Sequence, residues 1–317
     1  MNIAGEITST DGYVRVPKHI TVKKKLLSAK GVRHGWTRFC SRVTIASMSK
    51  IHPTAIIGQR VDIGTDTNIG PYVIIEDDVK MGCRNSIGAG SYICSGTEIG
   101  DDNEIHMHAI IGHTPQDLAY QNERTFTRIG HRNKIREFVT IHRGTKAGTA
   151  TVIGNDNFIM AYCHIAHNCI LGNRVIMVNQ ASLTGYVEVE DGAFLSGITG
   201  FHQFTRIGRL AMVSALSACN KDIPPYMTCG GRPGVVLGIN VVGLRRAGIP
   251  ADVREEIKQA YKLLYRSGLN VSQAVAAIKK NLSSQEVAHL VQFIEESKRG
   301  IVDGSGCEEE TIKPRKN

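Results

Sequence analysis

The sequence predicts a mainly β protein in which a parallel β-helix of hexapeptide repeats is followed by a C-terminal α-helical domain. The first observation is a six-residue period. Counting every sixth residue from Ile57 to Cys219 gives 28 positions, of which 25 hold an apolar residue larger than alanine and three (Asp117, Glu123 and Ala147) are exceptions. Because about half of the residues in an ordinary chain are apolar, chance would fill about half of these positions. The second observation is a change to helical spacing after residue 240.

A six-residue period fits neither an α-helix, whose apolar residues recur every three or four positions, nor a half-buried strand, whose residues alternate. One aliphatic anchor per hexad, often followed by glycine, is typical of a β-helix built from hexapeptides. The residue four positions after the anchor is usually small or β-branched, and we expect it to face the interior beside the anchor. Examples are Val61, Thr67, Val73, Ala109, Cys163, Ala181, Ala193, Thr199 and Ala211.

This repeat resembles that of the hexapeptide acyltransferases, in which three hexads form one triangular coil of 18 residues. The resemblance implies a left-handed β-helix. The handedness comes from the resemblance alone, since parallel crossover connections are otherwise right-handed. We place the β-helix at residues 51–224, a connector and helical domain at 225–302, and a disordered polar tail at 303–317.

The N-terminal extension, residues 1–50, carries most of the net charge of +9. It holds ten of the 38 basic residues and two of the 29 acids, so the remaining 28 and 27 nearly cancel. The folded body therefore has no basic surplus that would favour a nucleic-acid partner. Residues 13–50 contain no acid, a composition typical of an organelle transit peptide. We expect a mitochondrial protein, with a basic tail on a cytoplasmic protein as the alternative.

No apolar run reaches the ~18 residues of a transmembrane helix, so no transmembrane segment is expected. The eight cysteines form no C-x-x-C pair. Cys163, Cys169 and Cys219 occupy inward positions of the repeat, and we interpret them as reduced thiols. The sequence implies neither a metal nor another cofactor.

Two polar segments, residues 112–128 and 142–152, interrupt the repeat, and we expect both to loop out from the β-helix. Binding groups often lie on loops that a rigid scaffold positions. After the repeat, a Gly-rich connector precedes Pro250, a plausible first helical residue. An apolar stripe at helical spacing follows, formed by Val253, Ile257, Ala260, Tyr261 and Leu264. Ser283 and Glu286 have the spacing of a capping box before a further stripe.

The candidate site lies within the repeat, at His164-Ile165-Ala166-His167-Asn168. The central isoleucine is an inward anchor, so we expect His167, two residues later, to point outward. One coil further along is Gly185, and two coils further is Gln203, with His202 beside it. Stacked strands are ~4.8 Å apart, so these groups converge on one face. Acyl transfer needs such a set, with a base for the attacking hydroxyl and a donor for the oxyanion.

The chain also contains a longer stretch outside the repeat, Ala260-Tyr261-Lys262-Leu263-Leu264-Tyr265-Arg266-Ser267-Gly268. Within the repeat it contains Ile51-His52-Pro53-Thr54-Ala55, Gln116-Asp117-Leu118, Val139-Thr140-Ile141-His142-Arg143-Gly144 and His202-Gln203-Phe204. With His164 to His167, these stretches resemble the acyl-[acyl-carrier-protein]–UDP-N-acetylglucosamine O-acyltransferases of lipid A synthesis. The resemblance covers about residues 51–302, and the stretch outside the repeat makes it specific to this family.

The resemblance implies that His167 is the general base and that the Gly185 N–H polarises the thioester carbonyl. It implies that Asp117 binds the glucosamine hydroxyls. It places Ala215 at a ruler position for the acyl chain, where a small residue would admit medium chains of ten to fourteen carbons. The other implied substrate-binding residues are Gln116, His164, Tyr186, His202, Gln203, Asn240 and Arg246.

The sequence departs from the family pattern at three positions. The residue after the base is Asn168 instead of an aspartate, Tyr186 replaces a histidine, and Ala119 replaces a lysine that contacts the sugar. An amide oxygen can still accept the imidazole Nδ1–H, but it supplies no negative charge for an imidazolium. We therefore expect a weaker base on an unchanged scaffold.

The predicted protein is a homotrimer that moves a 3-hydroxyacyl chain from acyl carrier protein to the 3-hydroxyl of UDP-N-acetylglucosamine. One alternative is a zinc β-helix like the γ-type carbonic anhydrases, with His164, His167 and His202 as ligands. A second alternative is a structural β-helix without activity, which the changes at Asn168 and Tyr186 keep open.

Overall fold

The computed structural model describes residues 14–15, 44–45 and 49–305. The predicted transit peptide therefore lies largely outside the described residues. Short strands stack into three sheets, which form the sides of a left-handed β-helix, as predicted. The coil strands are parallel to one another, and Val14–Arg15 pairs antiparallel with Ile56–Ile57. The chain visits the sheets in turn, so strands 18 residues apart are neighbours, as Tyr92 is with Ile74 and Ile110. Each hexad therefore forms one strand and one corner of a coil.

The strands of the first sheet are Val14–Arg15, Ile56–Ile57, Ile74–Ile75, Tyr92–Ile93, Ile110–His113, Thr140–His142, His164–Ile165, Ser182–Leu183, Gly200–Phe201 and Ala218–Cys219. Those of the second sheet are Thr44–Ile45, Asp62–Ile63, Lys80–Met81, Thr97–Ile99, Phe126–Ile129, Ala150–Ile153, Ile170–Leu171, Glu188–Val189 and Arg206–Ile207. Those of the third sheet are Lys50–Ile51, Asn68–Ile69, Ser86–Ile87, Glu104–Ile105, Lys134–Ile135, Phe158–Ile159, Ile176–Met177, Phe194–Leu195, Met212–Val213, Met227–Gly231 and Gly234–Ile239.

The interior is filled by the anchors and by the residues four positions after them, and both sets are buried as predicted. A column of buried asparagines also runs along the interior. The N–H of Asn103 donates to Asn85 Oδ1 at 2.9 Å, and the N–H of Asn133 donates to Asn103 Oδ1 at 3.0 Å. Each amide therefore ties its own coil to the next, which satisfies polar groups that would otherwise be buried without partners.

The corners of the coils share one unusual backbone conformation. The residue three positions after the anchor has a positive φ, as at Asp156 (59°), Asn168 (60°) and Tyr186 (61°). Of the 21 residues other than glycine with positive φ in the described part of the chain, 19 occupy this position. We call the turns after strands of the first, second and third sheets the first, second and third corners.

The two interruptions of the repeat are shorter than predicted, because strands extend into both. Ile110–His113 and Phe126–Ile129 flank the first loop, which covers residues 114–125. Thr140–His142 and Ala150–Ile153 flank the second loop, which covers residues 143–149. Both loops follow the first sheet, so they emerge at the first corner beside each other.

The predicted Gly-rich connector is instead an antiparallel hairpin, Met227–Gly231 and Gly234–Ile239, that extends the third sheet. Gly231 has a φ of 105°, which the turn requires and which a side chain would oppose. Residues 303–305 also differ from the predicted disordered tail. The Val236 N–H donates to the Asp303 carbonyl (2.8 Å), and the Ser305 N–H donates to the Val236 carbonyl (3.0 Å). The rest of that predicted tail lies outside the described residues.

Four helices follow the hairpin, α1 (Val241–Arg246), α2 (Ala251–Tyr265), α3 (Val271–Asn281) and α4 (Gln285–Glu295). In α2, the predicted stripe supplies the buried side chains. None of the helices in the described part of the chain has the length and apolar character needed to cross a bilayer.

The capping box predicted at Ser283 and Glu286 is wrong. The N-cap of α4 is Ser284, and its side chain makes no capping hydrogen bond. The N–H groups of Ser283 and Ser284 instead donate to the Glu256 carboxylate on α2, at 3.2 and 2.9 Å. A partner from another helix therefore replaces the local one, and a capping box forms at Asn270 and Gln273 of α3.

Candidate active site

The first corner brings together the residues whose coil register the sequence predicted. The Tyr186 N–H donates to the His167 carbonyl at 3.0 Å, and the Phe204 N–H donates to the Gly185 carbonyl at 3.2 Å. His167, Gly185 and Gln203 therefore occupy the same place in three consecutive coils.

His167 is not exposed, although the sequence predicted that it would point outward. Its exposed fraction is 3%. The first loop brings Asp117 to it, with 3.5 Å between Asp117 Oδ2 and His167 Nε2. On another side Tyr186 packs edge-on, with the ring centroids 5.3 Å apart. The imidazole is thus covered by groups from a loop and from the neighbouring coil, which the hexad pattern alone does not describe.

Hydrogen bonds identify the tautomer of His167. Asn168 Oδ1 accepts the backbone N–H of Thr145 at 2.9 Å, so this atom is the amide oxygen and not the nitrogen. The same oxygen lies 3.1 Å from His167 Nδ1. Two acceptors would not approach so closely, so Nδ1 carries the proton. The lone pair is therefore on Nε2, the atom that a base needs.

Asn168 is itself held firmly by residues that the sequence analysis did not single out. Its N–H donates to the Thr151 hydroxyl at 2.8 Å, and Thr145 fixes its side chain as described above. Both threonines are buried. Thr145 belongs to the second loop, and its position directly after the His142-Arg143-Gly144 stretch was the available sequence signal. The second loop therefore orients the base through Asn168.

Gly185 lies directly against the imidazole. A Cβ atom built on Gly185 would lie 2.4 Å from Cε1 and 2.5 Å from Nε2 of His167, closer than real Cβ contacts. The position therefore requires glycine for close approach and not for its φ. Within the described part of the chain, the Gly185 N–H has no acceptor. A backbone donor on a residue that lies against the imidazole can serve a developing oxyanion.

Two further histidines stand beside the base and are neutral at pH 7. Burial, and then the neighbouring His164, lower the pKa of His142 to about 4. Burial is also the main cause that lowers the pKa of His164, with His167 adding to it. Thr140 Oγ1 lies 2.7 Å from His164 Nδ1, whereas His142 Nδ1 is buried without a partner among the described residues. These two imidazoles therefore add no positive charge beside the base.

Tyr186, one of the three residues that depart from the family pattern, forms an aromatic wall with Phe204. Their ring centroids are 4.8 Å apart and the planes are 17° from parallel. Burial and the nearby Asp117 carboxylate raise the pKa of Tyr186, so its hydroxyl remains a neutral donor. The substitution thus keeps a polar hydrogen on the wall that faces the base.

The other predicted site residues lie at different distances from this centre. His202, Gln203 and Gln116 are exposed, and Ala215 is exposed at the third corner. Arg246 is exposed in the last turn of α1. Asn240 caps α1, accepting the Gly243 N–H at 2.9 Å and donating to the Leu210 carbonyl at 2.8 Å. Both the oxygen and the nitrogen of its amide are therefore occupied by hydrogen bonds that stabilise the fold of this chain.

The described residues contain no group of three His, Cys, Asp or Glu side chains placed to hold a metal ion. His164, His167 and His202, the ligands of the carbonic anhydrase alternative, therefore do not form a ligand set in this geometry.

The chain matches known proteins over the parts that build this site. Residues 222–302 match the family model described as UDP N-acetylglucosamine O-acyltransferase, domain 2, and residues 150–185 match the bacterial transferase hexapeptide model. An acyl-[acyl-carrier-protein]–UDP-N-acetylglucosamine O-acyltransferase of Verminephrobacter eiseniae is 47% identical over 261 residues, 80% of this chain and 100% of that protein.

Solved structures agree with this match. The UDP-N-acetylglucosamine acyltransferase of Campylobacter jejuni aligns with a TM-score of 0.77 and 38% identity, over 81% of this chain and all of that one. The corresponding enzyme of Bacteroides fragilis aligns with a TM-score of 0.75 and 39% identity, over 82% of this chain and all of that one. This chain therefore belongs to the acyl-[acyl-carrier-protein]–UDP-N-acetylglucosamine O-acyltransferase family.

Proposed function

We propose that the protein transfers a 3-hydroxyacyl chain from acyl carrier protein to the 3-hydroxyl of UDP-N-acetylglucosamine, the first step of lipid A biosynthesis. The observation that supports this most strongly is the geometry at His167. A buried imidazole has its lone pair on Nε2, and a glycine lies against the same edge of the ring, with an N–H that has no acceptor among the described residues. This pairing is what acyl transfer from a thioester requires.

In the proposed reaction, the sugar hydroxyl gives its proton to His167 Nε2 while its oxygen attacks the thioester carbon. The negative charge that develops on the carbonyl oxygen is stabilised by the Gly185 N–H. When the C–S bond breaks, the proton on Nε2 passes to the departing thiolate. The products are the acylated sugar nucleotide and free acyl carrier protein, and the imidazole returns to its starting tautomer.

The substrate contacts follow from the arrangement of the loops. Asp117 and Gln116 lie on the first loop beside the base, where they are placed to accept or donate hydrogen bonds to the sugar. Arg246, exposed on α1, offers a fork of donors that suits a diphosphate. Since the amide of Asn240 caps α1, we propose that Asn240 acts mainly by holding α1 in place for Arg246.

We propose a homotrimer because large apolar side chains at the third corner are exposed in the described part of the single chain. Its residues Tyr72, Tyr162, Ile198 and Leu216 are 70, 55, 52 and 53% exposed. Exposed apolar rows of this length usually mark an interface, and closed symmetry would cover them. A neighbouring subunit would also supply the second wall of a substrate cleft, next to Ala215. We propose that Ala215 sets the acyl-chain length there, favouring ten to fourteen carbons.

We also propose that the protein is mitochondrial. The support is compositional, namely the acid-free segment of residues 13–50 with its Lys, Arg, Ser and Thr. Fusing residues 1–50 to a fluorescent protein tests this proposal. Fluorescence in mitochondria is expected, and a diffuse cytoplasmic signal would contradict it.

The function is tested by acyl transfer from a series of 3-hydroxyacyl thioesters of acyl carrier protein to UDP-N-acetylglucosamine. We expect activity that peaks at medium chains and falls by about 10²–10⁴ in His167→Ala, the usual contribution of a general base. The control is His131→Ala, which removes an exposed imidazole at the second corner. No transfer by the unchanged protein with any thioester would contradict the proposed function.

A further inference from the structure

We propose that Asp117 is the counter-ion of the His167 imidazolium, replacing the charge that Asn168 cannot supply. The proposal rests on the proposed function and assigns to Asp117 a role beyond contact with the sugar. In it, the negative charge that stabilises the protonated base lies on the Nε2 side of the ring instead of the Nδ1 side.

The first support is how firmly the carboxylate is held. Asp117 Oδ1 accepts the Ala119 N–H at 3.0 Å, and its backbone carbonyl accepts the Tyr120 N–H at 3.0 Å. The Thr145 hydroxyl lies 3.5 Å from Oδ2. The loop thus folds around the residue and directs Oδ2 towards His167 Nε2, at 3.5 Å.

The second support is the environment of the pair. The side chain of His167 is 4% exposed and that of Asp117 is 27% exposed. Charges interact more strongly where water is largely excluded. Within the described part of the chain, Asp117 is the carboxylate that lies within 4 Å of this ring. The neighbouring His142 and His164 are neutral, so neither competes for the carboxylate.

The third support is the chemistry on the opposite side of the ring. The atom facing Nδ1 is the oxygen of a neutral amide, and it is shared with the Thr145 N–H. It fixes the tautomer but carries no net charge. When Nε2 takes the proton from the sugar hydroxyl, a positive charge appears on the ring, and a carboxylate within ion-pair distance favours that charge. Asp117 is placed to provide it at the atom that receives the proton.

A role in sugar binding alone predicts a different outcome. If Asp117 only contacted the sugar, its loss would cost the same factor whatever residue stands at position 168. If it is the counter-ion, its loss should cost less when a carboxylate is restored beside Nδ1. The two roles therefore differ in whether the effects at positions 117 and 168 are additive.

The test is a double-mutant cycle with Asp117→Asn, Asn168→Asp and the variant carrying both. In the Asn168 background, we expect Asp117→Asn to lower kcat by about 10²-fold. In the Asn168→Asp background, we expect a loss about tenfold smaller, because the restored carboxylate stabilises the imidazolium. The KM for UDP-N-acetylglucosamine should rise by a similar factor in both backgrounds, since sugar contact is lost equally. Equal losses of kcat in the two backgrounds would overturn the proposal.

Controls separate this result from folding and from the proposed function. Aspartate already occupies the equivalent positive-φ corner position at Asp78, Asp102 and Asp156, so Asn168→Asp suits the backbone. Imidazole ¹⁵N shifts should show the Nδ1–H tautomer in all four proteins. An unchanged protein without acyl transfer would refute the proposed function itself, whereas an active enzyme with additive variants would refute only the counter-ion.

Discussion

In the coils that hold the candidate site, the first and second corners use the same hexad positions but differ in how their backbone N–H groups are bonded. The second corner is closed, because side chains of the next coil accept its N–H groups, whereas the first corner is open. At the second corner, the Asn155 N–H donates to Asn173 Oδ1 at 2.8 Å, and the Asn173 N–H donates to Asp191 Oδ1 at 2.7 Å. Each backbone donor is capped by the side chain one coil further along. At the first corner the equivalent residues are His167, Gly185 and Gln203, and the Gly185 N–H has no acceptor in the part of the chain that the structure describes.

The candidate site therefore differs from the second corner in lacking one structural hydrogen bond, the side-chain cap on a backbone N–H. A corner that caps itself has no donor left for a substrate. Gln203, the residue one coil further along from Gly185, does not cap the Gly185 N–H among the described residues, and glycine at position 185 lets the backbone lie against the His167 imidazole. The two loops then cover this corner, so that the free donor is not simply solvated.

Among the changes that test the difference between the two corners, Gly185→Ala should have the largest effect on kcat. The added methyl group would collide with the His167 ring, displacing the base and narrowing access to the free N–H. We expect kcat to fall by about 10²–10³-fold, the usual loss when an oxyanion donor is removed. Steady-state acyl-transfer kinetics measure this.

The matched control is Gly200→Ala, on the next strand of the first sheet. A Cβ there meets no heavy atom within 4 Å. Its kcat should stay near that of the unchanged protein. Activity in Gly185→Ala that matched this control would show that the open corner is not where the oxyanion binds.

The third corner sharpens the comparison, because large apolar side chains are exposed there. Tyr162 stacks on Phe138 with centroids 5.0 Å apart, and Tyr162 is 55% exposed. Tyr162→Glu should place a charge in the proposed interface and dissociate the trimer, as measured by sedimentation equilibrium. Arg174→Glu, at the second corner, is the control and should remain trimeric. An unchanged protein that sediments as a monomer would contradict the assignment of this corner to an interface.

His142, which lies on the first sheet close to the base, should make stability depend on pH. His142 has a pKa of about 4 in the folded protein and about 6.5 when unfolded, so the unfolded chain binds more protons between these values. Stability should therefore be complete above pH 6.5 and decline as the pH falls towards 4. The loss should reach up to about 3 kcal/mol, since each pKa unit corresponds to about 1.4 kcal/mol.

Urea unfolding of the unchanged protein and of His142→Gln at pH 7 and pH 4.5 measures this effect. The variant should lose less stability over that interval, because it has no imidazole to protonate. Parallel pH dependence in the two proteins would show that His142 is not the group responsible.

Asn173→Ala should have the smallest effect, confined to the closed corner. It removes the acceptor of the Asn155 N–H at a partly exposed site, so we expect a loss of about 1 kcal/mol in the free energy of unfolding. The kcat should not change, because the second corner takes no part in the reaction. A fall in kcat without a fall in stability would break the distinction between the two corners.

The sequence predicted the three-sheet β-helix because one inward residue per hexad defines both the strand and its register. It also placed His167, Gly185 and Gln203 one above another, since register in a regular coil is simple arithmetic. It did not predict that His167 would be buried, because the cover comes from Asp117 on a loop of irregular spacing. The sequence also did not predict Glu256 as the partner of the α4 N-terminus, because local spacing does not show which residues of another helix lie nearby.

The corner conformation had a sequence signal that the hexad pattern did not use. Asp66, Asp78, Asp102, Asp156 and Asn168 all stand three residues after an anchor. Asp and Asn tolerate positive φ better than other residues with side chains. Their recurrence marks the turn of each coil. Arg and Tyr also occur at this position and obscure the signal, because there surface charge and side-chain contacts determine which residue is present.

The positive-φ corners also determine how the chain can fold. Each costs a residue with a side chain about 1–2 kcal/mol, and strands of two residues return little on their own. A single coil is therefore unstable, and a coil gains its hydrogen bonds only when it is added to an existing neighbour. We expect the β-helix to fold by adding one coil at a time to an existing coil. The coil at the end of the β-helix opposite the hairpin, which begins with the strand Lys50–Ile51, should then be the first to exchange its amide hydrogens.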